Sequence, residues 1–273
     1  MKNRCVIVIP VHTAYPSANE LSSFAQCFKI LDKHPIKILA PQNLDLQSYK
    51  SLVHDFEVIF IEPIWQSSVE QYNKLKISEF FYQLFSEFEY LLTYELDAWV
   101  FKDDIEYWCR KSYSFIGAPW FEDYEKVNST KIIGVGNSGF SLRNIQTSIK
   151  ILNRIRFLKN IRKIWFKSYL QSIWRFSKMV LFFKKQLHIR AVQHIESLCF
   201  VYTMHEDYYW SHFIAGTFND YNISEISDAI KFSFETNPSF LFKLNDNELP
   251  FGCHAWEKYE PDFWKKYIPM LKI

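Results

Sequence analysis

Glu95 and Asp97 stand two residues apart in YELDAWVF (94–101), where an apolar run, YLL, meets charge and then turns apolar again. A carboxylate costs several kcal/mol to desolvate unless it is paired or bound to a cation. The pair therefore either caps a strand end at the surface or holds a metal ion. In a strand, residues i and i+2 point to the same side, so both carboxylates can face one ligand. Two such oxygens suit Mg2+ or Mn2+, which in turn bind diphosphates. An acidic triplet of this kind is common, and alone it leaves both readings open.

Other chemistry-bearing residues lie far away in the chain. HEDYYW (205–210) carries a second acidic pair, Glu206 and Asp207, in a helix-like context. A carboxylate there can take the proton of an acceptor hydroxyl, or it can complement the macrodipole of a helix N-terminus. IIGVGNSGFSLR (132–143) gathers Gly134, Gly136 and Gly139, three of the six glycines in the protein. Such a loop exposes backbone, and Asn137 and Ser138 within it can bond hydroxyls. It lacks the spacing of a dinucleotide fingerprint and the Gly-Lys-Ser/Thr ending of a phosphate-binding loop. A tight turn before a strand would also explain the glycines.

The elements that must position these residues alternate. CVIVIPV (5–11), IKILAP (36–41), FEVIFIEP (56–63) and YLLTYEL (90–96) are short apolar runs rich in β-branched residues and ended by proline or polar residues, which predicts strands. Between them the clearest helical stretch is 68–88, with Val69, Tyr72, Leu75, Phe80, Leu84 and Phe88 near one face. Strands alternating with helices predict an α/β fold with a mainly parallel sheet. Ligands of such sheets bind beyond the carboxyl ends of the strands. Pro10, Val11 and His12, like Glu95 and Asp97, fall at such ends.

From Phe140 through Ala215 there is neither Gly nor Pro, which permits long helices. Ile151, Ile155, Leu158, Ile161, Trp165, Tyr169, Ile173, Phe176, Val180, Phe183 and Leu187 make an apolar stripe. Twelve Lys/Arg and no Asp or Glu occur between Lys150 and Arg190, although the whole chain carries a formal net charge of only +2. A basic amphipathic helix or helix pair of this kind fits an anionic membrane surface. It also fits packing on the domain or on a second subunit, with the basic face solvated. Nucleic-acid binding ranks third, because no recognised nucleic-acid module accompanies the charge. The expectation is one continuous domain over 1–273, with a basic helical insertion at about 145–195.

The bulk composition is that of a folded globular chain: 48% hydrophobic and 23% charged over 273 residues. Aromatic content is high at 19%, which fits carbohydrate or interfacial contact and equally fits a core. Cys5, Cys27, Cys109, Cys199 and Cys253 are odd in number and scattered, the pattern of reduced thiols in a cytoplasmic compartment. The N-terminal apolar run is short and lacks a small-residue cleavage site, so it reads as a first buried strand. No uncharged apolar run of about 18 residues predicts a membrane span.

LLTYELDAWVF, SFIGAPWF, GVGNSGFSLR, HEDYYWS and LPFGCHAW, in that order, resemble the GT-A-type glycosyltransferases that use nucleotide sugars. The likeness is to a largely uncharacterised group found with bacterial surface-polysaccharide genes. It covers nearly the whole chain except roughly 150–190. The resemblance implies a GT-A-like, Rossmann-like sheet and a sugar transfer to a glycan or lipid-linked acceptor, with Mn2+ or Mg2+ as cofactor. Glu95 and Asp97 take the place of the fold's acidic metal motif. Glu stands where Asp is usual, which leaves open whether both ligate or Asp97 alone. His254 resembles the late histidine that completes the metal site in several families, and an imidazole favours Mn2+.

By the same resemblance Asp207, with Glu206 next, would be the base of an inverting transfer; a retaining mechanism would not need it. Pro10, Val11 and His12 would meet the base and ribose, Asn73 and Lys76 the diphosphate or donor. Gly136, Asn137, Ser138 and Gly139 would lie near the sugars. Trp120 and Trp210 are either stacking platforms for sugar rings or core aromatics. The implied location is cytoplasmic, at the inner face of the membrane, with a homodimer as a possible state. Two rivals of other kinds stand beside this reading. One is a catalytically inactive GT-A-like module that binds glycan or membrane. The other, a metal-dependent phosphoesterase, would need more His and Asp ligands at fixed spacing.

Overall fold

The computed structural model describes residues 4–122, 129–173 and 205–269. Its centre is a six-stranded sheet built from β1 (Cys5–Pro10), β2 (Ile36–Pro41), β3 (Glu57–Ile61), β4 (Tyr90–Tyr94), β6 (Phe115–Ile116) and β9 (Phe140–Asn144), in the order β3-β2-β1-β4-β9-β6. The first four strands are mutually parallel, and β9 runs against both of its neighbours. Two further short sheets among the described residues are β7 (Pro119–Phe121) with β8 (Ile132–Val135), and β10 (Ser233–Phe234) with β11 (Gly252–Cys253) and β5 (Trp99–Val100).

β1 is buried on both faces, as a central parallel strand must be. Cys5, Ile7 and Ile9 join one core with Phe24 and Leu31 of helix α1 (Ala18–Leu31). Val6 and Val8 point the other way, into a second core with Leu75, Phe81, Ile151 and Ile155. Helix α1 begins where Ser17 and Glu20 close a reciprocal capping box. A third apolar cluster, with Trp99, Phe234, Cys253, Trp256 and Trp264, supports the small β10-β11-β5 sheet.

The stretch 68–88 is not one helix. After the short helix α2 (Gln47–Lys50) come α3 (Val69–Lys76) and α4 (Glu79–Gln83) as separate helices. Ser78 divides them: its hydroxyl donates to the Leu75 carbonyl and accepts from the Phe81 amide. One serine thus closes a helix and caps the next. Strand β4 stops at Tyr94, short of the expected residue 96.

After α5 (Ile105–Arg110) the long helix α6 runs from Ile145 to Ile173. The first part of its apolar stripe is core rather than a lipid-facing surface: Ile151 and Ile155 are buried in the second cluster. Lys150 and Arg154 pair with Asp220, and Arg156 pairs with Glu79. The later stripe positions from Phe176 on, and Cys199, lie outside the described residues. Cys5, Cys27, Cys109 and Cys253 are buried free thiols. Among the described residues no helix is long and apolar enough to cross a membrane.

Candidate functional site

Glu95 and Asp97 belong to a turn, not to a strand. The last rung of β4 is the Glu95 amide, which donates to the Gly139 carbonyl at 2.8 Å, and the Ala98 amide then closes a turn onto the Glu95 carbonyl at 2.9 Å. Leu96 goes into the core while the acids on either side stay partly accessible. A turn lets both carboxylates leave the buried sheet, which a continued central strand would not.

His254 meets them from the other end of the chain. Its Nε2 lies 3.0 Å from Asp97 Oδ1 and 3.6 Å from Glu95 Oε2. One donor atom from each of the three residues can be chosen so that all lie within 4.8 Å of one another. Nε2 is buried and, despite its closeness to Asp97, has no aligned hydrogen-bond partner. Two carboxylates and an unsatisfied imidazole nitrogen converging on one point are a donor set that fits Mn2+ or Mg2+. Burial disfavours the imidazolium, but Asp97, Glu235 and Glu95 outweigh it and hold the His254 pKa well above its ordinary value.

Glu95 is also tied from behind. The ammonium of Lys76 is fully buried and reaches Glu95 Oε1 at 3.3 Å, Glu206 Oε1 at 3.1 Å and the Ser138 carbonyl at 3.1 Å. Burial alone would raise the Glu95 pKa, but Lys76 and His254 hold it well below the usual carboxylate range. Glu206 is in turn gripped by both terminal nitrogens of buried Arg143, each at 2.7 Å. That bidentate pair, with Lys76, keeps Glu206 ionised against its burial. Glu206 is thus an anion whose oxygens are occupied by two cations, Arg143 and Lys76. Lys76 likewise has its charge paired within the protein, with Glu95 and Glu206.

Asp207, the next residue, has a different environment. Its Oδ2 accepts from the Asn137 amide at 3.1 Å and its Oδ1 from the Tyr208 amide at 2.8 Å. Among the described residues no cation pairs with it, and burial together with the Glu206 charge pushes its pKa up to about 6. The glycine-rich loop joins Asp207 to the metal-ligand trio. Asn137 adopts a left-handed backbone with φ 70°, and its Oδ1 accepts from the Gly139 amide. Gly139 then touches the turn through Glu95. A Cβ on Gly139 would sit 2.0 Å from His254 Nε2. The glycine is required there by the close approach of the imidazole ring.

The remaining expected residues divide. Pro10 ends β1; carrying the β1–β4 register (Val8 beside Thr93) two residues on sets it level with Glu95, and His12 is exposed just beyond. Asn73 Oδ1 accepts from the Glu206 amide at 3.4 Å, so it holds the start of the 206–208 helix. Trp120 lies against Gly136, where a Cβ would come within 1.9 Å of the ring, and stacks on Tyr208 at 5.9 Å. Trp210 takes the place of a core aromatic. It is completely buried between Tyr82 and Tyr221, with its ring nitrogen donating to the Lys76 carbonyl.

Sequence reasoning missed Arg143 and Glu235. Arg143 ends the GVGNSGFSLR block, where an arginine alternating with buried strand residues was a readable signal of a buried ion pair. Glu235 stands alone in KFSFETNP, and nothing near it announces a partner.

A family profile described as Protein of unknown function (DUF5672) matches residues 55–254, and the chain belongs to that family. No curated protein matches by sequence. Among solved structures, mouse xyloside xylosyltransferase 1 in its apo form is similar at 9% identity, covering 91% of this chain and 96% of that one, with a TM-score of 0.50. The galactosyltransferase LgtC, solved with donor and acceptor sugar analogues, is similar at 12% identity over 98% and 92% of the two chains, with a TM-score of 0.46. GlyE of Streptococcus pneumoniae TIGR4, a glycosyltransferase, has 12% identity and a TM-score of 0.46; this chain covers 61% of its length. The fold is GT-A: a mixed, mainly parallel sheet flanked by helices.

Proposed function

We propose that this DUF5672 protein is a metal-dependent glycosyltransferase. It moves a sugar from a nucleoside-diphosphate sugar to a glycan or lipid-linked acceptor, in the assembly of a bacterial surface polysaccharide. The observation that supports this reading most is the meeting of Glu95, Asp97 and His254 at the carboxyl edge of the sheet. A hydrogen-bonded loop runs from there to a buried carboxylate of raised pKa.

Asp97, Glu95 and His254 would hold Mn2+ or Mg2+. Once bound, the cation would offset the negative charge that builds on the departing diphosphate. Asp207, ionised above about pH 6, takes the proton of the acceptor hydroxyl as its oxygen bonds to the anomeric carbon. The bond from that carbon to the diphosphate oxygen breaks on the opposite face, so configuration inverts. The Asn137 amide holds Asp207 in place, and Lys76 acts through Glu95 rather than on the donor. Pro10 and His12 would border the nucleotide, and the 136–139 loop and Trp120 the sugars.

The membrane contact proposed for 150–190 falls on the later part of that segment. Ile151 and Ile155 are core, and Lys150, Arg154 and Arg156 are ion-paired. A panel of nucleotide sugars tested with Mn2+ for binding and turnover tests the enzyme reading. Turnover of one donor supports it. Affinity without turnover would favour the inactive binding module, and neither would sink both.

A further inference from the structure

We infer that Glu235 is a positioning residue for the proposed cation site: through Nδ1 of His254 it aims Nε2 at Asp97 and Glu95. The inference rests on the metal-site reading above and gives a role to a residue that reading leaves unused.

The small sheet brings the partners together. Strands β10 and β11 pair in parallel, Ser233 beside Gly252 and Phe234 beside Cys253. β11 pairs antiparallel with β5, Cys253 beside Trp99. Glu235 and His254 each follow the last paired residue of their strand, and Asp97 precedes β5 by two residues. The His254 amide donates to the Phe234 carbonyl at 3.0 Å as the final rung. Three short strands therefore end at one edge with an acid, an imidazole and an acid.

At that edge Glu235 is buried, and its Oε1 lies 3.2 Å from His254 Nδ1. In the neutral ring, a carboxylate against Nδ1 selects the tautomer that carries hydrogen there, which leaves the Nε2 lone pair facing the two acids. Gly139 lies against the ring on the Nε2 side, close enough that a Cβ there would strike it. Ala255, immediately after His254, adopts a left-handed backbone with φ 49°. In that conformation the Cβ crowds the following carbonyl oxygen, so an alanine adopts it only under constraint. Strain of this kind persists where surrounding structure over-determines a position, here the turn that carries His254 into the site.

The test compares Glu235→Met and Glu235→Gln, both neutral and close in size to glutamate. The probe is Mn2+ alone, titrated into the protein and followed by loss of the free-ion EPR signal. Thermal melts check the fold. Loss of such a partner weakens metal binding about 10- to 100-fold, and that loss is expected for Glu235→Met. Glu235→Gln keeps an oxygen to accept from Nδ1 and is expected to recover at least about threefold of the loss within that range. Equal affinity of wild type and Glu235→Met overturns the inference. So does an equal loss in both variants, which would make Glu235 a nearby charge and nothing more. If Glu235→Met does not fold, Glu235→Ala takes its place in the same comparison. A wild-type protein that binds no Mn2+ overturns the cation site itself, a failure distinct from the others.

Discussion

Single side chains near one another do different work here because their partners differ. Glu206 and Asp207 are adjacent and both buried, yet one is clamped by Arg143 and Lys76 while the other accepts from the amides of Asn137 and Tyr208. Asp207→Asn is accordingly expected to lower kcat by about 10²- to 10⁴-fold with little change in the melting temperature. With Asp207 as base, kcat/KM should rise with pH and level off above about pH 6, the pKa to which burial and Glu206 push this carboxyl. The sign for stability is opposite: a raised carboxyl pKa favours the folded state at low pH, and that contribution fades as pH climbs through about 6. A pH–rate profile without an acidic limb near 6 would count against Asp207. Gly139→Ala forces a methyl group toward His254 Nε2. It should abolish measurable Mn2+ binding while leaving the circular dichroism spectrum unchanged; retained Mn2+ binding would contradict the packing described.

At the scale of elements, the site is held by ties between pieces distant in sequence. Lys76 from α3, Glu95 from the β4–β5 turn, the Ser138 carbonyl and Glu206 meet at one buried ammonium. Arg143 of β9 supports them from beneath. Removing one partner of a buried charge cluster leaves uncompensated charge, at a cost of roughly 3–5 kcal/mol. Glu206→Ala should lose that much in urea unfolding, and Glu206→Gln, which removes the same charge, should also be destabilised; a loss under 1 kcal/mol for the alanine variant would show the cluster to be dispensable. Much of this level was legible in the sequence. The four parallel strands follow from their β-branched runs, and the acidic pair and the glycine loop stood out as motifs, whereas His254 was marked only by the family resemblance. What stayed hidden depends on long-range partners. Ser78 breaking 68–88 and β4 ending before Glu95 are local hydrogen-bond choices that periodicity cannot resolve. Trp210 looks the same in sequence whether it lines a cleft or fills a core, and Glu235 is identified only by its distance to a ring 19 residues away.

For the whole molecule, the GT-A sheet places the carboxyl ends of β1 and β4 side by side, and the small third sheet brings His254 across to them. The basic segment 150–190 makes a separate prediction. The protein should co-sediment with anionic vesicles in a salt-sensitive way, since each basic residue near such a surface contributes about 1 kcal/mol. Equal binding to neutral vesicles, or none to either, would remove the membrane from the proposal. The most direct test of the enzyme reading is release of nucleoside diphosphate from a nucleotide-sugar panel in Mn2+, comparing wild type with Asp97→Ala. The predicted result is turnover of at least one donor by the wild type, lost on chelation and in Asp97→Ala. No turnover of any donor, or turnover indifferent to Asp97, would contradict it.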